Sequence, residues 1–447
     1  MKLGINEIIR ATDAKITLNT LKTSKYNIST DTRTIQNGDI YLPIKGANFD
    51  GEKFCEEAIL KGAAGCFISG NNYPENAKIV LQVENTLDAY MKIANHVRKE
   101  YNPITLAITG SSGKTTTKEM IYSIVSKKFK THKTFANHNN EIGFCQTILS
   151  MPEDTQVLII EMGMRALGEI ELLSKYAEPD YSIIVNTGSA HIGRLGSLDN
   201  IARAKCEITE YQNPSGTLIA YDSERLHKFI DFRGEKIFFS IKDAQILEKA
   251  PAYTKFIYKS QNYEINVEGD YNVENAIAAI EFAQKLKIQY DDIRRGLLSY
   301  RPIEKRWEVE EVNGLKFIND SYNANPESMK ASVSTFVELY KNPVVVLGNM
   351  GELGENEIAF HKEVGDYIGR LDGKKQARFI TVGNLAKYTG EELSKFGFDV
   401  KSFDNNFETS RYILDNLDAG TTIFLKASRT MKFEEIIQTV KQGEQSL

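Results

Sequence analysis

The sequence predicts an α/β protein of three domains. At 447 residues the chain is too long for one hydrophobic core. Residues 103–308 and 309–447 alternate short apolar strands with helical patterns, which favours parallel sheets covered on both faces. Residues 1–102 mix short strands and helices. Turn-forming residues near positions 101–103 and 300–313 separate these stretches, and the predicted domains are therefore 1–102, 103–308 and 309–447.

The individual elements follow from runs of apolar residues and helical periodicity. In the first domain, residues 39–44 are predicted as a strand and 52–61 as a helix. The central domain has predicted strands at 104–108, 157–160, 182–185, 217–220 and 236–239. The last domain has predicted strands at 315–318, 344–347, 379–382 and 422–425, and helices at 326–340, 359–371 and 433–441.

Composition excludes several classes of protein. Hydrophobic residues make up 41% and charged residues 26%, which is typical of a soluble globular protein. The net charge is −5 and no basic arm occurs, so no nucleic-acid partner is expected. The sequence shows neither a signal-peptide core nor a membrane-spanning run. Four widely spaced cysteines are expected to be reduced thiols, which favours a cytoplasmic location.

A glycine-rich segment at the junction of a predicted strand and helix indicates a site for a nucleoside triphosphate. Backbone N–H groups of such a turn point at an anion, and the positive end of the helix dipole adds to the attraction. Lys114 would reach the outer phosphates, and the Thr115 hydroxyl would hold Mg²⁺. The usual motif begins with glycine where this chain has Ile108, and the alternative is a simple turn beside a surface lysine. The segment consists of Gly110, Ser111, Ser112, Gly113, Lys114, Thr115 and Thr116.

Two further candidates follow predicted strands of the central domain. Glu161 ends the strand at 157–160, and ligands in open α/β sheets lie beyond the carboxyl ends of strands. Glu161 is thus a candidate Mg²⁺ ligand, with a solvated acid as the alternative. His191 follows the strand at 182–185, where it could bind metal or only form hydrogen bonds within its loop.

Three other positions have ordinary structural explanations that the local pattern does not overturn. Lys205 lies on an apparent helix, where a solvated surface charge is usual. Arg306 precedes a domain boundary and could contact ATP, or it could be a surface arginine. The polar segment from Asp320 to Pro326 suits both a turn that starts a helix and contacts to a nucleotide.

Taken together, these residues resemble the Mur ligase family over essentially the whole chain. The order of the motifs is highly specific, although most are weak singly. The matching pieces are 109–116, 137–143, 161–163, His191, 204–207, 271–276, Arg306 and 320–326. The resemblance implies a small α/β N-terminal domain that binds UDP, a central P-loop ATPase-like parallel sheet and a C-terminal Rossmann-like domain.

The resemblance also implies roles for matching positions. Lys114, Lys205, Glu161 and His191 would be catalytic, and Lys205 would react with CO₂ to form a carbamate that helps to bind Mg²⁺. The implied metal ligands are Thr115, Glu161, His191 and the carbamate of Lys205. Besides the phosphate loop, the implied ATP contacts are Asn272, Asn275, Arg306, Asp320 and Asn323. The implied substrate-binding residues are Ser29, Asp31, Thr32, Arg33, Asn139, Asn140, Ser428 and Arg429.

Within the family, the segments 29–33, 347–354 with His361, and 426–429 favour a ligase that adds D-alanyl-D-alanine to a UDP-N-acetylmuramoyl-tripeptide. The chain departs from the family pattern at Tyr271, Asn349, Ala427 and Cys145, where the family often has His, Asp, Gly and Pro. The Asp-Asn-Pro-Arg string that is usual in ligases adding diaminopimelate or lysine does not occur in this chain.

The resemblance implies a reaction in which ATP activates a carboxylate as an acyl phosphate before an amine attacks it. The expected cofactors are ATP and two Mg²⁺ ions, and the expected partners are the two small-molecule substrates of a monomeric enzyme. The alternatives are a Mur ligase that adds a single amino acid, either diaminopimelate or lysine, to a UDP-N-acetylmuramoyl-dipeptide, and an inactive nucleotide-binding regulatory protein. Folylpolyglutamate synthase fits less well, because its phosphate loop would lie nearer the start of the chain.

Overall fold

The structure is a computed structural model and describes residues 2–21, 25–46, 49–303, 305–371 and 376–443. The chain forms two compact units. The first comprises residues 1–107, 129–162 and 172–180, and the second comprises residues 108–128, 163–171 and 181–447. The boundaries predicted at residues 102 and 308 divide the chain differently and stay predictions.

The N-terminal part of the first unit is a small α/β fold. Its elements are β1 (Leu3–Gly4), α1 (Ile5–Thr12), β2 (Lys15–Asn19), β3 (Lys25–Tyr26), β4 (Ile28–Ser29), β5 (Ile40–Tyr41), β6 (Lys45–Gly46), β7 (Phe49–Asp50), α2 (Cys55–Leu60), β8 (Gly65–Ile68), β9 (Ile79–Gln82) and α3 (Thr86–Tyr101). Five strands form a sheet in the order β2-β9-β8-β5-β4, in which only β2 is antiparallel to its neighbour.

Two predicted elements of this region are shorter than expected. The strand predicted at 39–44 covers only Ile40–Tyr41, because Pro43 has no N–H to continue the ladder. The helix predicted at 52–61 begins as a 3₁₀ helix, Gly51–Phe54, and continues as α2. Buried residues of α2 and of strands β5, β8 and β9 form a common apolar core, which includes Tyr41 and Val80.

All five strands predicted for the central region exist within one residue of their expected bounds. The elements are β10 (Ile104–Thr109), α4 (Lys114–Val125), β11 (Thr131–Lys133), α5 (Glu141–Leu149), β12 (Val157–Glu161), α6 (Glu169–Ala177), β13 (Tyr181–Ile184), α7 (Ile192–Leu195), α8 (Leu198–Cys206), β14 (Thr217–Tyr221), α9 (Glu224–Phe229) and β15 (Glu235–Phe239). In the first unit β11 and β12 pair in parallel, and in the second unit β13, β14 and β15 do so.

A small antiparallel sheet follows, which the sequence did not predict. Its strands are β16 (Ala244–Ala250), β17 (Tyr253–Tyr258) and β18 (Gln261–Ile265), and the helices α10 (Asp270–Lys285) and α11 (Tyr290–Ser299) come next. Only alternate residues of β17 are buried, so the strand has no continuous apolar run.

The C-terminal region is a second α/β layer structure. Its elements are β19 (Glu308–Val312), β20 (Leu315–Asn319), α12 (Pro326–Leu339), β21 (Val344–Gly348), α13 (Glu357–Gly369), β22 (Arg378–Val382), α14 (Ala386–Lys395), β23 (Asp399–Phe403), α15 (Asn406–Asn416), β24 (Thr422–Lys426) and α16 (Glu434–Gln442). The sheet order is β19-β20-β24-β21-β22-β23, and only β19 is antiparallel to its neighbour.

Both faces of this C-terminal sheet are buried. Val345 and Leu347 of β21 belong to one apolar cluster, whereas Val344 and Val346 belong to another. Side chains alternate across a strand, so the two clusters lie on opposite faces. The α/β fold class is confirmed, with parallel strands predominating in the larger sheets.

Two further findings concern the cysteines and the lengths of the helices. The four cysteines are free and buried. Across the described ranges, every helix is too short or too polar to cross a membrane.

Candidate functional site

The phosphate loop connects the end of β10 to the start of α4. The helix begins at Lys114, so Lys114 and Thr115 lie in its first turn. Gly113 has a φ of +77°, and a Cβ there would lie 2.5 Å from Oδ1 of Asn275. The positive φ favours glycine at this position, and a side chain there would also displace the amide of Asn275. The loop thus has the backbone and helix N-terminus that suit an anion.

The side chain of Asn186, two residues beyond β13, holds the phosphate loop. Its Oδ1 accepts hydrogen bonds from the N–H groups of Ser111 and Ser112, both at 3.0 Å. Its Nδ2 donates to Oγ of Ser112 at 3.0 Å, and Oγ of Ser111 donates to the carbonyl of Gly188 at 3.0 Å. Sequence reasoning missed Asn186, although its position at a strand end was a usable signal.

Arg306 contacts the phosphate loop directly. Its Nη2 donates to Oγ1 of Thr115 at 2.9 Å, and its guanidinium lies 3.6 Å from the ring centroid of Tyr322. Nζ of Lys114 donates to the carbonyl of Gly110 at 2.8 Å. In the sequence analysis, a surface arginine was the alternative interpretation of Arg306. The structure instead brings this cation to the loop, while its contact with ATP stays a prediction.

Asn272 and Asn275 lie near the start of α10, buried against the phosphate-loop helix. Oδ1 of Asn275 accepts a hydrogen bond from Oγ1 of Thr117 at 3.1 Å. Nδ2 of Asn272 donates to the carbonyl of Glu268 at 2.7 Å. Both amides therefore have protein partners, and their roles as ATP contacts stay predictions.

Lys205 is a buried lysine. It lies at the end of α8 and its side chain is only 1% exposed, which excludes the surface position that is usual for a lysine on a helix. Burial, and then the positive charge of Lys114, lower the pKa of Lys205 well below its ordinary value. An uncharged amine is nucleophilic, so this environment suits reaction with CO₂.

His191 and Glu161, the other predicted metal ligands, have partners of their own. His191 has a φ of +66°, and its Nδ1 lies 2.5 Å from Oε2 of Glu352. This close contact with His191 lowers the pKa of Glu352. Glu161 belongs to the first unit, is buried, and accepts a hydrogen bond from Nδ2 of Asn139 at 3.0 Å.

The described side chains contain no group of three or more His, Cys, Asp or Glu residues that could hold a metal ion. The oxygen donors of Thr115 and Glu161 suit Mg²⁺, whereas a lysine suits it only after it has gained a carboxylate. Thr115, Glu161 and a carbamylated Lys205 therefore offer the type of ligand that Mg²⁺ prefers, and the metal assignment, with His191 included, stays a prediction.

The polar segment after β20 pairs with a buried lysine. Nζ of Lys426, which is only 3% exposed, lies 2.6 Å from Oδ2 of Asp320. Oγ of Ser332 donates to the same carboxylate oxygen at 2.9 Å. Oδ1 of Asn323 accepts a hydrogen bond from the N–H of Ala324 at 2.9 Å. The sequence marked both segments, but only the fold reveals their pairing.

The predicted UDP-sugar segment lies in the first unit. Nε and Nη2 of Arg33 donate to the Asp31 carboxylate at 2.6–3.1 Å, and this hydrogen bonding lowers the pKa of Asp31 to about 2. Oγ1 of Thr32 donates to Oε1 of Glu57 at 3.1 Å. Ser29 lines a cavity of about 270 Å³, together with Leu3, Tyr26, Asn27, Ile28, Asp39 and Leu149.

The remaining predicted substrate residues have local partners. Asn140 caps helix α5, where its Oδ1 accepts a hydrogen bond from the N–H of Gly143 at 3.0 Å. Ser428 is buried, with its Oγ 3.0 Å from Oγ1 of Thr430. Arg429 is largely exposed, and its Nη1 donates to Oε1 of Glu434 at 2.9 Å. Their contacts to substrate stay predictions.

Glu274, on α10 beside Asn275, makes stability depend on pH. Burial raises its pKa from 4.5 to about 7, so the folded chain binds a proton there that the unfolded chain has released. The contribution of this proton to the free energy of unfolding is fully present below about pH 4.5. It is lost as the pH rises through about 7. We expect Glu274→Gln to reduce the change in the free energy of unfolding over this pH range by about 1–3 kcal/mol.

Thermal unfolding of wild type and Glu274→Gln at about pH 5 and about pH 8 measures the effect. Glu248→Gln, at an exposed position on β16, is the matched control. Equal pH dependence in wild type and Glu274→Gln would contradict the assignment.

Comparison with known proteins places this geometry in a family. The model of the Mur ligase middle domain matches residues 108–283, and that of the Mur ligase, glutamate ligase domain matches residues 305–429. A UDP-N-acetylmuramoyl-tripeptide–D-alanyl-D-alanine ligase of Bacillus subtilis is 36% identical over 428 residues, which is 92% of each chain. The enzyme of that name from Synechocystis is 32% identical and covers 92% of this chain and 91% of its own.

Solved structures agree with these matches. A crystal structure of MurF from Acinetobacter baumannii superposes with a TM-score of 0.90 at 27% identity and covers 99% of both chains. MurF ligase from Thermotoga maritima in complex with ADP has a TM-score of 0.83 at 24% identity, covers 94% of this chain and 99% of its own, and shows the shared fold. The chain therefore belongs to the Mur ligase family.

Proposed function

We propose that this chain is an ATP-dependent ligase that adds D-alanyl-D-alanine to UDP-N-acetylmuramoyl-tripeptide in the synthesis of peptidoglycan precursors. The observation that supports this most is the phosphate loop with Arg306 on Thr115, in a chain that aligns over 92% of its length with a ligase of that name. Arg306 lies in the segment that matches the glutamate ligase domain and Thr115 in the segment that matches the middle domain, so the two matched segments meet at the phosphate loop.

The reaction joins a carboxylate to an amine. A carboxylate is a poor electrophile, so ATP first transfers its γ-phosphoryl group to a carboxylate oxygen, giving an acyl phosphate and ADP. The amine of D-alanyl-D-alanine attacks the acyl carbon, the amide forms, phosphate leaves and one proton is released. The protein mainly positions the reactants and offsets negative charge.

The cations at the phosphate loop have distinct tasks in this reaction. Lys114 neutralises the phosphoryl group during transfer, since a fixed cation stabilises charge that develops in the transition state. Arg306 has a planar guanidinium that suits phosphate oxygens. Asn272, Asn275, Asp320 and Asn323 complete the proposed contacts to ATP.

Mg²⁺, when bound, offsets the charge shared by the phosphoryl group and the substrate carboxylate. Thr115, Glu161, His191 and Lys205 are the proposed ligands, and two ions are expected. The buried amine of Lys205 adds to the carbon of CO₂ and loses one proton, which gives an anionic carbamate with two oxygens. This change supplies the oxygen ligands that Mg²⁺ prefers.

The substrates meet other parts of the chain. Ser29, Asp31, Thr32 and Arg33 are proposed to hold the UDP-sugar end of the acceptor, and the cavity beside Ser29 supports this. Asn139 and Asn140 are proposed to lie near the muramoyl peptide, and Ser428 and Arg429 near the incoming dipeptide. The enzyme is proposed to act as a monomer in the cytoplasm.

The function is tested by the mass of the product. Purified protein is incubated with ATP, Mg²⁺ and UDP-N-acetylmuramoyl-tripeptide, together with either D-alanyl-D-alanine or single amino acids. We expect one product, heavier by the dipeptide less water, with phosphate release that requires both acceptor and amine. Parallel reactions with UDP-N-acetylmuramoyl-dipeptide and diaminopimelate or lysine test the single-amino-acid alternative.

Addition of a single amino acid would show instead that the chain is a Mur ligase that adds diaminopimelate or lysine. ATP binding without any product, under every combination of acceptor and amine, would favour the inactive regulatory protein.

A further inference from the structure

The segment 188–193, which follows β13 and ends within α7, contacts the segment that matches the glutamate ligase domain at three points. Oε2 of Glu327, in the first turn of α12, accepts hydrogen bonds from the N–H and Oγ of Ser189 at 3.0 and 2.6 Å. Oε2 of Glu352 lies 2.5 Å from Nδ1 of His191. The N–H of Gly193 donates to the carbonyl of Glu352 at 3.1 Å.

The third point is a contact between two backbones. A Cβ at Gly193 would lie 2.3 Å from the backbone nitrogen of Gly354 and 2.7 Å from its Cα. A Cβ at Gly354 would in turn lie 2.8 Å from Cα of Gly193. Real Cβ atoms do not approach backbone this closely, so the two segments meet only because neither residue has a side chain. Gly193 has no positive φ, hence the contact alone requires glycine there.

The segment 188–193 contacts the phosphate loop on its other side. Gly188 accepts the hydrogen bond from Oγ of Ser111, and Ser189 is the next residue. Glu327 is therefore linked to the phosphate loop through two adjacent residues of this segment. This chain of hydrogen bonds gives the ligase-domain segment a route by which a movement at Ser189 can reach Ser111 of the phosphate loop.

We propose that the segment 188–193 is a docking point of the ligase domain and, beside the direct contact of Arg306 with Thr115, transmits the position of that domain to the phosphate loop. This proposal rests on the proposed function, since it concerns the alignment of ATP with the groups of both domains. Gly193 and Glu327 are positioning residues: they act by setting where Arg306 and Asp320 stand relative to the phosphate loop. Misplacement by about 1 Å can cost about a hundredfold in rate.

The main test is Gly193→Ala. We expect kcat for ligation to fall about 10–100-fold, because the added methyl group separates the docked backbones. The affinity for ADP should change by less than about threefold, since Asn186 still holds the phosphate loop. Gly70→Ala is the matched control, because a Cβ at Gly70 meets nothing within 4 Å.

A second variant keeps the test valid if Gly193→Ala fails to fold. Glu327→Ala removes two hydrogen bonds from an exposed side chain without adding volume, and we expect a fall of about 3–10-fold in kcat. Glu327→Gln should recover part of it, since an amide oxygen can still accept both bonds. Glu338→Ala, at an exposed position on the same helix, is the control.

A distance measurement separates docking from a general structural effect. The native cysteines are buried, so spin labels at Tyr211→Cys and Phe407→Cys, which are 42% and 62% exposed in wild type, can be attached selectively. With ADP bound, we expect one narrow distance distribution in the wild-type background and a broader or longer one with Gly193→Ala.

If both Gly193→Ala and Glu327→Ala catalyse ligation with an unchanged kcat, the docking proposal is overturned. The proposed function would not be affected. A lower kcat with an unchanged distance distribution would also overturn it. Absence of ligation in the wild type itself would instead count against the proposed function.

Discussion

Lys205→Ala should retain only a small fraction of wild-type ligation and should recover part of it when formate is added. The expected loss in kcat is about 10²–10³-fold, comparable to removal of a charged group that stabilises a transition state. The reason is that burial, and then the positive charge of Lys114, lower the pKa of Lys205, which favours the neutral amine that can add to CO₂. Alanine leaves a cavity in which a small carboxylate can take the place of the carbamate oxygens.

Two further variants sharpen this experiment. Lys205→Arg keeps a long cationic side chain, which does not form a carbamate and leaves no cavity, so we expect loss without rescue by formate. Arg203→Ala changes an exposed cation on the same helix and should stay close to wild type. NMR with isotopically labelled bicarbonate should detect a carbamate in wild type only. Full activity of Lys205→Ala without formate would refute the role.

Most strands that the sequence predicted in the central and C-terminal regions are buried on both faces, and the edge strand β15 is the exception. Val344 to Gly348 and Val157 to Glu161 are buried throughout, so their apolar runs are continuous and need no knowledge of neighbours. The strands β19 and β23, which the sequence missed, are the two edges of the C-terminal sheet and carry mostly exposed or half-buried residues. Their local pattern is weak because it depends on one face only.

The residues of the candidate site likewise fall into those that local sequence could place and those that it could not. Lys114 and Thr115 belong to a motif in which spacing along the chain fixes spacing in space, so local sequence was sufficient. Lys205 could not be placed in this way, because its burial depends on packing against residues far away in sequence. The pairing of Asp320 with Lys426 and the bonds of Asn186 to the phosphate loop likewise join distant segments. Only the fold reveals such contacts.

Lys114→Ala should cost about 2–4 kcal/mol of transition-state stabilisation, which corresponds to a fall in kcat of about 30–1000-fold. The ammonium group would no longer offset the charge of the transferred phosphoryl group. Single-turnover measurements of the chemical step test this directly. Lys127→Ala, at an exposed position just beyond α4, serves as control. A Lys114→Ala variant with wild-type turnover would overturn the assignment of the loop.

The effects of the two lysine variants should not add. The positive charge of Lys114 helps to lower the pKa of Lys205, so its removal favours the protonated amine and disfavours the carbamate. Part of the loss in Lys114→Ala is therefore a loss at Lys205, and the double variant should be less impaired than the product of the single effects. Strict additivity would mean that the two lysines act independently. Non-additivity that disappears at high pH, where the amine is neutral in either background, would identify charge as the link.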